Sequence, residues 1–174
     1  LLDFDAYIRR TMEEGFAHFG LRPYEPWMYD VFHRENNKLW RQIEEGTLTF
    51  PELEKIRWNN VFAALDMDFD GVVFEKYFRT ALHESAIPVN GARELLEALR
   101  GRYLLAAASN GPYEQQLHRL ALAGMKDFFD WFFISERIGA SKPSKLFFDE
   151  AFRQVNEGRE TPILTEDTAI IGDS

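Results

Sequence analysis

The chain has 174 residues, with 20 Lys+Arg against 29 Asp+Glu and a formal net charge of −9. An acidic chain without a basic cluster suits neither nucleic-acid backbones nor anionic membranes, and the absence of cysteine excludes disulfides, thiolate metal sites and cysteine nucleophiles. A hydrophobic fraction of 45%, including 16 Phe, is enough for a packed core.

From Asp3 to about Ser85 the apolar spacing is that of helices. Phe4, Ile8, Met12, Phe16 and Phe19 trace one face. Met28, Val31, Phe32, Leu39 and Ile43 trace a second after the Pro23–Pro26 break. Leu53, Ile56, Val61, Ala64 and Leu65 mark a third, opened by Thr49-Phe50-Pro51-Glu52 with proline in the first turn. Phe74, Tyr77, Phe78, Ala81 and Leu82 mark a fourth. Four amphipathic helices with short connections predict a small helical domain over residues 1–87. The stretch Asp66-Met-Asp68-Phe-Asp70-Gly71 resembles the start of a calcium-binding loop, but its twelfth position is Tyr77 rather than a bidentate Glu. It is expected to be an acidic connection that caps the fourth helix. Trp40 or Trp58, with Asn59, is a candidate for a substrate-facing surface of this domain. His18, His33, His83 and His118 fall in predicted helices without a partner at ligand spacing.

After Pro88 the pattern changes. A helix (Ala92, Leu95, Leu96, Leu99) leads into the apolar run Tyr103–Ala108, predicted to be a parallel strand buried on both faces. Ser109-Asn110-Gly111-Pro112 then opens a helix that reaches about Gly124. Trp131–Ile134 reads as a second strand, Ser135–Pro143 as a loop, and Leu146 to Val155 as another helix. Thr168–Ile171 reads as a third strand. Alternating strands and helices over residues 88–174 predict an open parallel sheet with helices on its faces, so the fold class is α/β with an added helical domain. The longest aliphatic stretch, Leu104–Ala108, falls far short of the roughly 20 residues of a membrane span, and no signal peptide is visible.

Ligands of such sheets bind beyond the carboxyl ends of the strands. Ser109 and Asn110 follow the first strand directly, Lys142 lies in the loop after the second, and Asp173 stands two residues past the third. A hydroxyl with nearby backbone N–H groups, an ammonium and a carboxylate suit a phosphate accompanied by a divalent cation. Ser109, with the N–H groups around Asn110 and Gly111, would hold phosphate oxygens. Lys142 would offset their charge, and Asp173 would offer a hard oxygen to Mg²⁺.

The segments Pro88-Val-Asn-Gly91-Ala-Arg-Glu-Leu-Leu, Ala108-Ser109-Asn110-Gly111, Ile134-Ser-Glu136-Arg-Ile-Gly139-Ala-Ser-Lys142-Pro143 and Ile171-Gly172-Asp173-Ser174 together resemble the haloacid dehalogenase (HAD) superfamily. Ser109 matches its second motif, Lys142 its third, and Asp173 begins its fourth. The resemblance implies a Rossmann-like core, incomplete here, with an inserted four-helix cap. Its first motif, Asp-x-Asp-x-Thr, which carries the nucleophilic aspartate, does not occur in the chain, and Leu1-Leu2-Asp3-Phe4 resembles the residues that follow it. The second acidic residue of the fourth motif is absent too. Both termini are therefore expected to be cut, and Asp3-Phe4-Asp5 is rejected as the nucleophile because a helix follows at once.

Within the superfamily the chain most resembles the noncanonical pyrimidine nucleotidases. The resemblance implies a Mg²⁺-dependent, cytoplasmic phosphohydrolase that acts on nucleoside 5′-monophosphates or similar small phosphate monoesters through an aspartyl-phosphate. Ser109 and Lys142 would be its catalytic residues, Ser109, Asn110, Gly111 and Lys142 its phosphate ligands, and Asp173 its metal ligand. The alternatives are a 2-haloacid dehalogenase, a phosphomutase-like enzyme of the same superfamily, or a non-catalytic fragment that acts as a binding module.

Overall fold

The first helix, α1 (Phe4–His18), starts where the Asp3 side chain accepts the Ala6 N–H at 2.8 Å, which satisfies one of the donors a helix start leaves open. Three more helices follow, α2 (Trp27–Glu44), α3 (Phe50–Ala64) and α4 (Gly71–His83). This computed structural model describes residues 1–172, the side chain of Glu44 excepted. The chain divides into two compact units, Leu1–Val89 and Asn90–Ser174.

The helical unit has an aromatic core. Tyr7, Met12 and Phe16 from α1, Phe32 from α2, Trp58 and Phe62 from α3, and Phe74 and Phe78 from α4 form one buried cluster. Trp58 is fully buried, with its ring centroid 4.3 Å from Phe74, 5.1 Å from Phe32 and 5.3 Å from Phe78. The substrate-facing role considered for Trp58 is therefore corrected. Trp58 lies inside the core, and Asn59 Oδ1 accepts the Gly71 N–H at 2.8 Å, tying α3 to the start of α4. Those helices approach so closely that a Cβ on Gly71 would stand 2.1 Å from the Asn59 backbone nitrogen, so only glycine fits there. The acidic connection caps α4 as expected, because Asp70 Oδ1 accepts the Val72 N–H at 2.8 Å.

One charged pair is buried within this unit. Arg57 Nε donates to Glu75 Oε2 at 3.0 Å, a second bond joins Nη2 to Oε1, and the guanidinium lies over the Phe78 ring at 4.6 Å. The unit's two ends are pinned side by side. Asp3 N donates to Ile87 O at 2.8 Å, and Val89 N donates to Leu1 O at 2.9 Å, around an antiparallel bridge between Leu2 and Pro88.

The second unit runs α5 (Ala92–Leu99), β1 (Ala106–Ser109), α6 (Tyr113–Leu122), β2 (Trp131–Ile134), α7 (Ser135–Ile138) and α8 (Lys145–Asn156). Strands β1 and β2 pair in parallel with Ala106 opposite Trp131 and Ser109 opposite Ile134. Phe133, Phe147 and Ala151 form one core cluster of this unit, with Ala108, Trp131, Phe148 and Val155 packed against them, and Leu96, Leu120, Met125 and Ile134 are buried as well.

Three expectations are corrected here. The first strand begins at Ala106, because Tyr103 and Leu104 are exposed and turn before the ladder starts. Ser135–Ile138 is a single helical turn rather than loop, ended by Gly139 in the left-handed region at φ 78°. Thr168–Ile171 is not a strand: it follows a 3₁₀ turn at Thr165–Asp167, and Ile170 and Ile171 are exposed, the latter by 82%. Periodicity reports which residues could be buried, whereas a strand exists only where a neighbour accepts its backbone hydrogen bonds. Among the described residues none pairs with this segment in a ladder. No helix among them is long and apolar enough to cross a membrane.

Candidate active site

Because β1 and β2 are parallel and end in register at Ser109 and Ile134, the loops that follow them leave the sheet at the same edge. Small side chains build this edge: β1 reads Ala-Ala-Ala-Ser, and its Ala107 is buried. At the opposite end Asp130 fixes the register, accepting the Leu105 N–H on its carboxylate at 2.8 Å while its own N–H donates to Leu105 O at 2.8 Å.

Among the described residues, four hydrogen bonds join the segment after β1, residues 110–113, to the segment after β2, residues 135–142. Asn110 makes two of them with one residue, Nδ2 donating to Lys142 O at 3.0 Å and Oδ1 accepting the Lys142 N–H at 2.8 Å. The Gly111 N–H donates to Ser135 Oγ at 2.9 Å, and the Tyr113 N–H donates to Glu136 Oε2 at 2.8 Å. The last bond caps α6 from across the sheet edge, which matters because Pro112 at the helix start supplies no side-chain cap. The Arg137 guanidinium lies 3.4 Å from the Tyr113 ring centroid and adds a cation–π contact to the same junction.

The residues singled out in the sequence thus fall as follows. Ser109 is half-buried at the end of β1, its hydroxyl directed to Asn110 O at 3.3 Å. Lys142 is half-buried in the second loop, held through its backbone by Asn110. It precedes a turn closed by Ser144 N–H to Ser141 O at 2.9 Å, after which the Ser144 side chain caps α8 by accepting from Phe147 N. Gly111, expected to offer its N–H to phosphate, gives it to Ser135 Oγ in this structure. Asp173, the expected metal ligand, lies outside the described residues.

Ser135 and Glu136 carry this arrangement and were assigned no role from the sequence. The signal that could have found them is their place immediately after β2, at the strand end where Ser109 stands after β1. Glu136 is a carboxylate at this junction, and its Oε2 is engaged as the α6 cap. A sheet edge that presents a serine hydroxyl beside a backbone-anchored lysine can bind a compact anion at a fixed point.

Comparison with known proteins identifies the family. The family model described as haloacid dehalogenase-like hydrolase matches residues 6–174. The pyrimidine 5′-nucleotidase PynA of Streptococcus pneumoniae is 31% identical over 180 residues, covering 100% of this chain and 71% of the relative. The pyrimidine 5′-nucleotidase YjjG of Escherichia coli is 33% identical over 142 residues, covering 81% of this chain and 62% of the relative. The crystal structure of the HAD-hydrolase YfnB from Bacillus subtilis, bound to magnesium, superimposes with a TM-score of 0.78 at 29% identity, covering 88% of this chain and 67% of that one. The chain spans 57–71% of the length of the curated relatives YfnB, PynA and YjjG. With its parallel sheet, its helical part and a family match over nearly its whole length, the chain belongs to the haloacid dehalogenase-like hydrolases and has their fold, a Rossmann-like core with a helical cap.

Proposed function

We propose that these 174 residues supply the cap and much of the core of a phosphohydrolase for small phosphate monoesters, with nucleoside 5′-monophosphates as the substrate class. The observation that carries this reading is the pair of hydrogen bonds between the Asn110 side chain and the Lys142 backbone, which fixes the lysine loop against the residue that follows Ser109. The two relatives named pyrimidine 5′-nucleotidases favour the nucleotide as substrate. The adjoining ends of the helical unit, Leu1–Asp3 and Ile87–Val89, suit an inserted cap that leaves and re-enters the core at one place.

On this reading the Ser109 hydroxyl orients one phosphoryl oxygen, and the Lys142 ammonium offsets the charge that builds on the others as the ester bond breaks. Asp173 would contribute to holding Mg²⁺, whose bound charge would supply further neutralisation of the phosphate. The attacking carboxylate is an aspartate outside residues 1–174. It displaces the alcohol from phosphorus in line, and water then hydrolyses the resulting acyl phosphate. The cap closes over the leaving group and excludes water during the first step.

The test is phosphate release from nucleoside 5′-monophosphates by the full-length protein with Mg²⁺, comparing wild type with Lys142→Met. Loss of an electrostatic clamp in a closed site costs roughly 10²–10³-fold in kcat. A Lys142→Met rate near that of wild type would remove the lysine from the chemistry, and no release from any monoester would remove the reading itself.

A further inference from the structure

We infer that Asn110 is a positioning residue of this same site. Its side chain sets the direction in which Lys142 leaves the backbone and is engaged by that backbone instead of by the phosphoryl group. The inference rests on the phosphohydrolase reading for its consequence in catalysis and on the hydrogen bonds alone for its structural content.

The argument begins with what a carboxamide can do. Asn presents an acceptor oxygen and a donor nitrogen side by side, spaced as in a peptide group. Asn110 turns both toward one residue, Nδ2 donating to Lys142 O at 3.0 Å and Oδ1 accepting from Lys142 N at 2.8 Å. The N–H and C=O of a single residue flank its Cα. Gripping both fixes the backbone on each side of that atom, and with it the direction of the Cα–Cβ bond that carries the ammonium. The amide orientation is the one the partners demand, since the reverse would set donor against donor and oxygen against oxygen.

A side chain used in this way has one N–H and part of its oxygen left for anything else, and its plane is fixed by the lysine backbone. The neighbouring bonds reinforce the same junction. Gly111 N to Ser135 Oγ, Tyr113 N to Glu136 Oε2, and Arg137 over the Tyr113 ring bind the two loops into one body. Asn110 is the member of this set whose partner is the lysine itself.

The consequence is a rate effect that passes through Lys142. Displacing a catalytic group by about 1 Å costs about 10²-fold, whereas a residue that binds the substrate directly loses affinity whether or not the lysine is present. The experiment is a double-mutant cycle in the full-length protein with Asn110→Ala, Lys142→Met and the double variant, assayed on a nucleoside 5′-monophosphate with Mg²⁺. Asn110→Ala is expected to lower kcat about 10²-fold with KM little changed, and to cost less than about 3-fold when Lys142→Met is already in place. An equal loss in both backgrounds, or a loss confined to KM, would overturn the positioning role.

Amide hydrogen exchange on the same full-length variants supplies a readout that does not depend on turnover. Asn110→Ala should speed exchange at the Lys142 N–H by at least about 10-fold, the loss of its acceptor, while protection along α8 stays as in wild type. Unchanged exchange at Lys142 would overturn the inference whatever the activity. A wild type that releases no phosphate would sink the phosphohydrolase reading alone and leave exchange to decide the clamp.

Discussion

The helical unit and the α/β unit solve the same packing problem with different materials. Residues 1–89 bury a cluster in which Trp58 touches four phenylalanines from two other helices and its own. Residues 90–172 bury a smaller cluster around Phe133, Phe147 and Ala151, with Leu96, Leu120, Met125 and Ile134 also buried, and both units leave large apolar side chains exposed, such as Trp27 and Val72 in the first and Tyr103 and Ile171 in the second. Helices satisfy their backbone bonds internally and need only an apolar stripe to dock. A parallel strand needs a neighbour on each side and cover on both faces. Two strands of four residues supply little of that, so the α/β unit is held at the edge where β1 and β2 end by side-chain to backbone bonds instead.

If the comparison is right, the largest single loss of stability should come from the aromatic cluster. Trp58→Ala is expected to cost about 3–5 kcal/mol in denaturant-induced unfolding, the range for deleting a large buried aromatic. Trp58→Phe should cost far less, because it also discards an indole N–H that is buried without a hydrogen-bond partner among the described residues. A cost below about 1 kcal/mol for the alanine variant would show that the cluster is not the main core and would break the contrast between the units.

The buried charge pair gives a second test, one that separates packing from pairing. Arg57→Met leaves Glu75 buried without its counter-charge and is expected to cost about 3–5 kcal/mol. Adding Glu75→Leu should recover most of that loss, since well-packed apolar replacements of a buried pair are often neutral or stabilising. Chemical denaturation of the two single variants and the double variant decides it. No recovery in the double variant would mean that the pair, with the stacking of Arg57 on Phe78, contributes more than the packing that replaces it.

The same contrast decides what could be read in the sequence. The four helices of residues 1–87 were legible because their signal is local: Ile8, Met12 and Phe16 repeat at intervals of four, and all are buried. Asp70 as a cap was legible from its place before Gly71. In the second unit Trp131–Ile134 is legible to the residue, because its apolar run is bounded by Asp130 on one side and Ser135-Glu136 on the other. Thr168–Ile171 was misread, because its composition matches a strand but pairing is a long-range property that composition does not carry. Ser109 stands at the end of β1 and Lys142 in the segment after β2, the places expected from the sequence. The Asn110 clamp was not legible, since its partner lies 32 residues away and a carboxamide after a strand looks like ordinary turn chemistry.

Two carboxylates, each beside an arginine, carry the comparison to its smallest effect. Burial pushes the Glu75 carboxyl above its usual range, and the bonds from Arg57 only partly oppose that rise. Glu150 on α8 sits at the surface, where the Arg153 fork, at 2.8 Å on both oxygens, and Gln154 hold it down at about 2. The signs are opposite. Glu75 favours the folded state most fully below its unfolded value near 4.5, and that contribution is lost as pH rises through the higher folded value. Glu150 favours the folded state above about 4.5, and its contribution is lost as pH falls toward 2. Carboxyl-resolved NMR titration should find the Glu150 midpoint near 2, returning to the ordinary range in Arg153→Gln and shifting little in any buried-core variant that still folds. Because this pair is exposed, added salt should also raise its midpoint, whereas the Glu75 midpoint should hardly respond to salt. A Glu150 midpoint in the ordinary range at low salt would show that the surface fork is not formed in solution, leaving the buried pair as the stronger electrostatic feature of the two units.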